Sequence, residues 1–160
     1  MLKWLWLSGL VIVLDQVSKW VMVSWLSLYE TVAVMPYFNL TMAHNTGAAF
    51  SFLAGAGGWQ RWFFIILAGV ISLGLLYWLY KLAKTKLEAV SVALILGGAV
   101  GNVIDRIYYG YVIDFLDVYY GSYHWPAFNI ADSAIVVGAA LLIIDSFRAE
   151  PKSDAEQDSE

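Results

Sequence analysis

Four long runs of apolar residues constrain the fold of this chain more than any other feature of its sequence. The runs cover about residues 4–26, 62–80, 89–104 and 130–147. A bilayer core about 30 Å thick needs roughly 20 apolar residues in a helix to cross it. The second run meets this requirement most clearly, because Arg61 and Lys81 enclose 19 residues without a charge. Each run therefore predicts a membrane-spanning helix.

The composition of the chain agrees with a membrane protein and excludes several other classes. Hydrophobic residues make up 61% of the 160 residues and charged residues only 14%, against about 45–50% and 25% in ordinary soluble domains. The net charge of −4 lies in the C-terminal tail, and the neutral remainder has no basic stripe for nucleic acid. With no cysteine and only two histidines, a disulfide framework, a thiol nucleophile and a metal site are not expected. No cofactor is expected either.

Basic residues orient the four predicted spans. They precede the first run, crowd the link between the second and third, and follow the fourth: Lys3, Lys81, Lys84, Lys86, Arg148 and Lys152. Lys and Arg close to span ends mark the cytoplasmic side of a membrane protein. Both termini are therefore predicted to be cytoplasmic, and the connections at residues 27–61 and 107–128 are predicted to face outward.

The two outward connections contain strand-like stretches. Residues 37–42 and 111–120 are rich in β-branched and aromatic side chains, which are typical of strands. The predicted fold class is thus a mainly α membrane protein, in which four transmembrane helices carry a small extracytoplasmic β-sheet at the outer membrane surface. Residues 1–148 are predicted to form a single domain, and the polar residues 149–160 to form a disordered acidic cytoplasmic tail.

Several polar residues interrupt the apolar runs, where an ionisable group is costly and is often functional. Asp15 and Lys19 have the spacing of a helical ion pair. This predicts either a structural pair that holds the first helix against a neighbour or a direct part in a site. Asn102 and Arg106 share one face of the third helix, with Gly98 one turn earlier. Arg106 is predicted either to reach the membrane interface or to organise carboxylates or a bound carbonyl group.

Asp114 and Asp132 are the strongest candidates for a reactive pair. Each lies among apolar residues, and the predicted topology brings both to the outer end of the bundle. Two carboxyls in a poorly solvated pocket share one proton, so that one acts as a base on water while the other polarises a carbonyl. Three interpretations stay open from the residues alone: this aspartic-protease chemistry, structural carboxylates at helix ends, and an ion pathway.

Two asparagines lie near these candidates in the predicted topology. Asn45 follows the first strand-like stretch, and Asn129 lies three residues before Asp132. Taken alone, both are typical of turns, and Asn129 has the position of a cap at the entrance of the fourth helix.

Together these residues resemble the bacterial lipoprotein signal peptidases, also called signal peptidase II. Five motifs of that family occur in order: Asp15-Gln16-Val17-Ser18-Lys19; Asn45-Thr46-Gly47-Ala48-Ala49-Phe50-Ser51; Gly97-Gly98-Ala99-Val100-Gly101-Asn102 with Asp105-Arg106; Val112-Ile113-Asp114-Phe115; and Phe128-Asn129-Ile130-Ala131-Asp132-Ser133-Ala134. The resemblance covers roughly residues 5–147 and leaves out the acidic tail.

The resemblance implies an aspartic endopeptidase of the bacterial inner membrane, with its active site at the outer face. Such an enzyme removes the signal peptide from a diacylglyceryl-modified prolipoprotein, cleaves before the lipidated cysteine and uses no metal. The resemblance implies that Asp114 and Asp132 are the catalytic pair. It implies a polar shell that positions the substrate and the pair: Asn45, Asn102, Arg106 and Asn129. It implies a supporting structural role for three further residues: Asp15, Lys19 and Gly98.

The expected partners are prolipoprotein substrates and membrane lipid, without nucleic acid, and the chain is expected to be a monomer. A second function class stays open, a small ion-coupled transporter that uses intramembrane Asp, Lys and Arg as a relay. Transporters often show inverted repeats and broken helices at the membrane midplane, whereas the polar residues here gather at one outer end. That asymmetry favours the protease.

Overall fold

The computed structural model describes residues 1–47 and 57–148. Within them lie four long helices: α1 at Leu5–Trp25, α2 at Trp59–Tyr77, α3 at Lys86–Tyr108 and α4 at Ile130–Arg148. Together with the short turns before α1 and after α2, each is long and apolar enough to cross a membrane. The predicted architecture of four spanning helices is confirmed. The tail at residues 149–160, predicted to be disordered, lies outside the described residues.

Helix α3 continues past residue 104, the predicted end of its span, to Tyr108. The prediction placed the boundary before Asp105 and Arg106 because charges are costly in a membrane. Both side chains are instead buried at the end of the helix, 0% and 9% exposed, and the helix does not stop at them. At its other end α3 begins with a capping box, in which Thr85 and Glu88 each accept a backbone N–H from the other residue.

Helix α3 lies at the centre of the bundle and packs against each of the other three helices. A Cβ atom added at Gly97 would lie 2.8 Å from the Ser8 carbonyl oxygen of α1, and one added at Gly98 would overlap with the Ala131 carbonyl of α4. The Ser8 hydroxyl also donates to the Ala93 carbonyl at 2.7 Å. The small-residue face of α3 is thus the surface on which α1 and α4 approach it closely.

Two of the connections between helices form one antiparallel sheet with the strand order β1-β2-β3-β4. The strands are β1 at Thr31–Met35, β2 at Phe38–Asn45, β3 at Val112–Tyr120 and β4 at Tyr123–His124. Leu26, Met42 and Ile113 form a buried apolar cluster that fixes the sheet to the end of α1. The predicted small sheet is confirmed, and both strand-like stretches contribute to it.

The link between β3 and α4 brings the start of α4 back to the sheet. Phe128 forms a β-bridge with Leu116, in which its N–H donates to the Leu116 carbonyl at 3.1 Å and its carbonyl accepts the Leu116 N–H at 2.8 Å. Helix α4 begins soon afterwards, at Ile130. The middle of β3 and the first turn of α4 are therefore neighbours, at the end of the bundle where α3 also ends.

Candidate active site

A cavity of about 810 Å³ lies where the sheet meets the ends of α3 and α4. Its wall includes Asp114 from the middle of β3 and Asp132 from the first turn of α4, so the structure brings the two carboxylates together. Much of the remaining wall is apolar: Trp125, Pro126, Ala127, Phe128, Ile135, Val136 and Val137. A mainly apolar cavity with a few converging polar groups is the usual form of a binding site.

Asp114 is almost completely buried, with 2% of its surface exposed. Its Oδ1 accepts a hydrogen bond from Asn129 Nδ2 at 2.7 Å, and its Oδ2 accepts one from Asn45 Nδ2 at 3.2 Å. Burial, and after it the nearby charge of Asp132, raise the pKa of Asp114 to about 7, because both disfavour the charged form. The two amide hydrogen bonds act in the opposite direction. Asp114 therefore exchanges its proton in the neutral pH range.

Asp132 lies in the first turn of α4 and is partly exposed to the same cavity. Its Oδ1 accepts a hydrogen bond from Asn102 Nδ2 at 2.7 Å. In the ranges that the structure describes, neither Asp132 nor Asp114 forms an ion pair with a lysine, an arginine or a histidine. The two carboxylates thus depend on neutral donors for their orientation.

Three asparagine amides join the two carboxylates into one network. Asn129 donates to Asp114, and its Oδ1 accepts the Asp132 N–H at 2.8 Å, so that it also caps α4. Asn102 donates to Asp132, and its own oxygen accepts Asn129 Nδ2 at 3.3 Å. Asn45 completes the network with its hydrogen bond to Asp114. The cap predicted for Asn129 and a contact with the carboxylate pair are therefore both present in one side chain.

Arg106 lines the cavity and holds neighbouring segments together. Its Nη2 donates to the Gly47 carbonyl at 2.8 Å, and its Nη1 donates to the Asn102 carbonyl at 3.3 Å. The guanidinium lies 5.1 Å from the centre of the Phe64 ring of α2. Because the side chain is buried among these partners, it does not extend to a membrane interface, which was one of the two predicted alternatives. It contacts backbone carbonyls instead of the carboxylates.

The predicted pair of Asp15 and Lys19 is present behind the cavity. Lys19 Nζ lies 2.8 Å from Asp15 Oδ2, and the two side chains are 2% exposed or less. Asp105 is a second carboxylate on the same ammonium, also at 2.8 Å, and sequence reasoning had assigned it no role. No local pattern indicated this role, because its partner Lys19 lies on another helix.

Two further aspartates lie away from the cavity. On the sheet, Asp117 accepts hydrogen bonds from Asn39 Nδ2 at 2.8 Å and from His124 Nδ1 at 2.9 Å in the tautomer that donates there. At the other end of the bundle, Asp145 accepts the Thr85 hydroxyl at 3.0 Å. Neither residue had been predicted as part of a site, and neither lines the cavity.

Sequence reasoning missed two ring side chains in the cavity wall, His44 and Trp125. His44 directly precedes Asn45, and its ring stacks on Tyr111 with the ring centres 3.8 Å apart. Trp125 follows β4 in the link to α4. For His44 the only signal was its place beside the Asn45 motif, and for Trp125 it was an aromatic residue in a short link.

The arrangement suits proton transfer to and from a water molecule. Two carboxyls that face one mainly apolar cavity, and that form no ion pair among the described residues, do not both ionise readily, so that they share one proton. The charged carboxylate then accepts a proton from water while the protonated one donates to a carbonyl oxygen. Among the residues that the structure describes, no three His, Asp or Glu side chains gather as ligands for a metal ion.

Comparisons with known proteins identify the family. The family model described as signal peptidase (SPase) II matches residues 7–148. The lipoprotein signal peptidase of Alteromonas mediterranea is 56% identical over 160 residues, a match that covers 99% of this chain and 88% of the relative. A lipoprotein signal peptidase of Acinetobacter baumannii is 53% identical over 159 residues, covering 99% of this chain and 90% of the relative.

Solved structures of bacterial membrane enzymes share the fold of this chain. A bacterial membrane enzyme determined by the in meso method at 2.3 Å resolution matches with a TM-score of 0.84 at 31% identity, covering 100% of this chain and 94% of that one. A second, determined at 1.9 Å, gives a TM-score of 0.81 at 32% identity, covering 94% and 96%. The relatives support a peptidase and give the transporter alternative no support. The chain belongs to the signal peptidase II family.

Proposed function

We propose that this chain is an aspartic endopeptidase that removes the signal peptide from diacylglyceryl-modified prolipoproteins and cleaves before the lipidated cysteine. Membership of the signal peptidase II family supports the action on lipoprotein precursors. The catalytic type depends on one observation. Asp114 and Asp132 face the same cavity, and neither has an ion-pair partner in the described part of the chain.

In this mechanism the two carboxyls share one proton, and one donates a proton while the other accepts one. Asp114 is the more deeply buried, and its pKa is raised to about 7, so it holds the proton and donates it to the scissile carbonyl oxygen. Asp132, which is partly exposed to the cavity, takes a proton from the attacking water. The resulting tetrahedral intermediate collapses when the leaving nitrogen receives the proton from Asp132 and Asp114 recovers its own. No covalent bond to the enzyme forms.

The cavity wall suits a substrate that arrives from the membrane. Ile135, Val136 and Val137 of α4 line it, and the last two are also 68% and 50% exposed on the surface of the bundle. The cavity is therefore continuous with an apolar surface, along which a signal peptide enters sideways while its acyl chains stay in lipid. Arg106 and His44 add polar groups to the cavity wall that are available to the peptide backbone.

The chain is a multi-pass bacterial membrane protein, and we place it as a monomer in the inner membrane with the cavity at the outer face. Lys81 and Lys84 lie between α2 and α3, at the end of the bundle opposite the cavity. Basic residues at span ends mark the cytoplasmic side. On this basis both termini lie in the cytoplasm.

The activity is tested with purified protein in detergent, without any ion gradient. Two peptides that span a prolipoprotein cleavage site are compared, one with a diacylglyceryl cysteine and one with an unmodified cysteine. Mass spectrometry is expected to show cleavage of the first peptide only, with the lipidated cysteine as the new N-terminus, and a chelator is expected to change nothing. Activity that a chelator abolishes and zinc restores would contradict the aspartic type, and cleavage at another bond would contradict the substrate.

The orientation is tested with a reporter enzyme that is active only outside the cytoplasm. Fusions after Gly57 and after Tyr120 are expected to be active, because both positions lie in outer connections. Fusions after Lys84 and after Arg148 are expected to be inactive. Activity at Lys84 would reverse the topology and move the cavity to the cytoplasmic face.

A further inference from the structure

Behind the cavity, three charged side chains form a closed cluster. Lys19 Nζ lies 2.8 Å from Asp15 Oδ2 and 2.8 Å from Asp105 Oδ2, and all three side chains are 2% exposed or less. Gln16 Nε2 donates to both carboxylates, at 3.1 Å to Asp15 and at 2.9 Å to Asp105. Charges are costly to bury even when they are paired. The proposed mechanism does not use this cluster, and its three charged members do not line the cavity.

Each carboxylate of the cluster also accepts a backbone N–H. Asp15 Oδ1 accepts the Ala131 N–H at 2.9 Å, and Asp105 Oδ2 accepts the Ile113 N–H at 3.0 Å. Ala131 and Ile113 are the residues directly before the two members of the proposed catalytic pair. The backbone N–H of the residue before each catalytic aspartate is therefore fixed, through one aspartate of the cluster, to the same ammonium.

The cluster supplies acceptors at places where regular secondary structure offers few. Ala131 is the second residue of α4, and the first four N–H groups of a helix have no acceptor within the helix. A carboxylate is also electrostatically favourable at a helix N-terminus. Ile113 pairs with His44 of β2, and it precedes the part of β3 that pairs with Phe128 and with β4. The two elements that carry the catalytic pair are thus anchored to one point.

We propose that Asp15, Lys19 and Asp105 form a positioning cluster, which sets the distance between the carboxyl groups of Asp114 and Asp132 by fixing the backbone N–H of the residue before each of them. This inference rests on the proposed aspartic function. Displacing a catalytic group by about 1 Å costs roughly 10²-fold in rate. Loss of an anchor therefore lowers kcat and leaves KM nearly unchanged, because the cluster does not line the cavity that holds the substrate.

The two carboxylates use their oxygens differently, which allows a test with a single type of substitution. Asp105 uses one oxygen, Oδ2, for both Lys19 and the backbone N–H. Asp15 uses Oδ2 for Lys19 and Oδ1 for the backbone N–H. An amide side chain has only one acceptor oxygen. Asp105→Asn therefore keeps both contacts, whereas Asp15→Asn loses one of them, although each variant removes one negative charge.

The experiment measures kcat, KM and the melting temperature of purified variants with the diacylglyceryl peptide as substrate. Asp105→Asn is expected to keep kcat within about threefold, since its remaining oxygen keeps Lys19 and the Ile113 N–H and only the hydrogen bond from Gln16 is lost. Asp15→Asn and Asp105→Leu are each expected to lose roughly 100-fold in kcat, with KM changed by less than about threefold. Leu79→Ala, a change at a side chain that is 0% exposed, is the matched control, because it lowers stability without touching either anchor.

Kinetics are compared at a temperature where every variant is folded, so that a loss of kcat in Leu79→Ala as well would show that stability alone matters and would overturn the proposal. Equal losses in Asp105→Asn and Asp15→Asn would also overturn it, since charge alone would then be decisive. A raised KM with unchanged kcat would do the same. If Asp15→Asn does not fold, the contrast between Asp105→Asn and Asp105→Leu decides. A native protein that fails to cleave the peptide would instead defeat the proposed function.

Discussion

Two pairs of aspartates meet at one end of this bundle, and in the described part of the chain only one pair forms ion pairs. Asp15 and Asp105 share the ammonium of Lys19 at 2.8 Å each. Asp114 and Asp132 receive hydrogen bonds from neutral asparagine amides. A neighbouring cation favours the charged form of a carboxylate, whereas burial without one favours the protonated form. The same residue type thus holds an ammonium in one pair and is held by neutral amides in the other.

The two aspartate pairs lie close together in the fold but have different chemical partners. Lys19 reaches the asparagine network, because its Nζ donates to Asn102 Oδ1 at 3.1 Å, but the amide of Asn102 stands between the ammonium and Asp132. One neutral side chain therefore keeps the cation of the first pair from pairing with the second. Asn102 therefore orients Asp132 and also separates it from direct contact with the ammonium.

The largest expected effect comes from removing the exchangeable proton. Asp114→Asn and Asp132→Asn are each expected to lower kcat/KM on the order of 10⁴-fold, because an amide neither accepts a proton from water nor shares one. The double variant is expected to be no worse than either single variant, since the proposed mechanism needs both residues together. The test is a double-mutant cycle, in which peptide cleavage is measured for the native protein, the two single variants and the double variant. Losses that multiply would show that the carboxyls act independently.

Asp114→Asn also has a predictable effect on the stability of the protein. The pKa of Asp114 is raised from 3.8 to about 7, so the stability that its protonated form contributes is complete below pH 3.8 and is lost as the pH rises through about 7. Asp114→Asn is therefore expected to melt several degrees above the native protein at pH 8, and the difference is expected to shrink as the pH falls towards 5. A variant that melts lower at pH 8 would contradict the raised pKa.

A smaller loss is expected when the neutral donors are removed. Asn129→Ala deletes the hydrogen bond to Asp114 and the cap of α4, and it is expected to lower kcat roughly ten- to a hundredfold. Asn129→Ser is the matched control, because serine caps a helix well but does not replace the amide donor. Serine is expected to restore the melting temperature without restoring kcat. Recovery of both would mean that Asn129 acts only as a cap.

An added cation beside Asp114 would remove the difference between the two aspartate pairs. Asn45→Lys places an ammonium beside Asp114 and is expected to lower its pKa, so that the shared proton is lost at a lower pH. Activity at pH 7 is expected to fall by about five- to fiftyfold, with a smaller loss near pH 5.5. Asn45→Met, which is uncharged and of similar length, is the control. The pH profile of kcat measures the shift, and a loss that is equal at both pH values would contradict it.

The smallest effects are expected at the aspartates outside both pairs. Asp117→Asn and Asp145→Asn are each expected to keep cleavage within about twofold, because neither side chain lines the cavity and changes away from a site usually affect activity little. Asp117 interacts with Asn39 and His124, and Asp145 interacts with Thr85. The peptide assay again provides the measurement. An inactive Asp117→Asn beside an active Asp114→Asn would show that the wrong carboxylate of β3 has been assigned.

Much of the fold was predictable because its signals are local. Continuous apolar runs indicate spans wherever they occur, and the β-branched and aromatic stretches indicated strands. Asp114 and Asp132 stood out because each is a charge among apolar residues. The role of Asp105 was not predictable in this way, since it depends on Lys19, which lies on another helix. A contact between distant parts of the chain leaves no mark in the residues around either partner.

Asn129 shows a second reason why the sequence predicts only part of the site. Its spacing before Asp132 predicted a helix cap, and the cap is present. The same side chain also donates to Asp114, and nothing in the local pattern distinguishes a residue with one task from a residue with two. Only the placement of β3 beside the start of α4 adds the second contact.

The close contact of α3 with α4 at Gly98 has a consequence for inhibitors. A Cβ atom at Gly98 would overlap with the Ala131 carbonyl, so the two helix backbones already touch beside Asp132 and cannot move closer around a small ligand. The cavity therefore has a fixed width on this side. A ligand already rigid at that width loses little conformational freedom on binding, and a narrower or more flexible ligand gains nothing from closure of the protein around it.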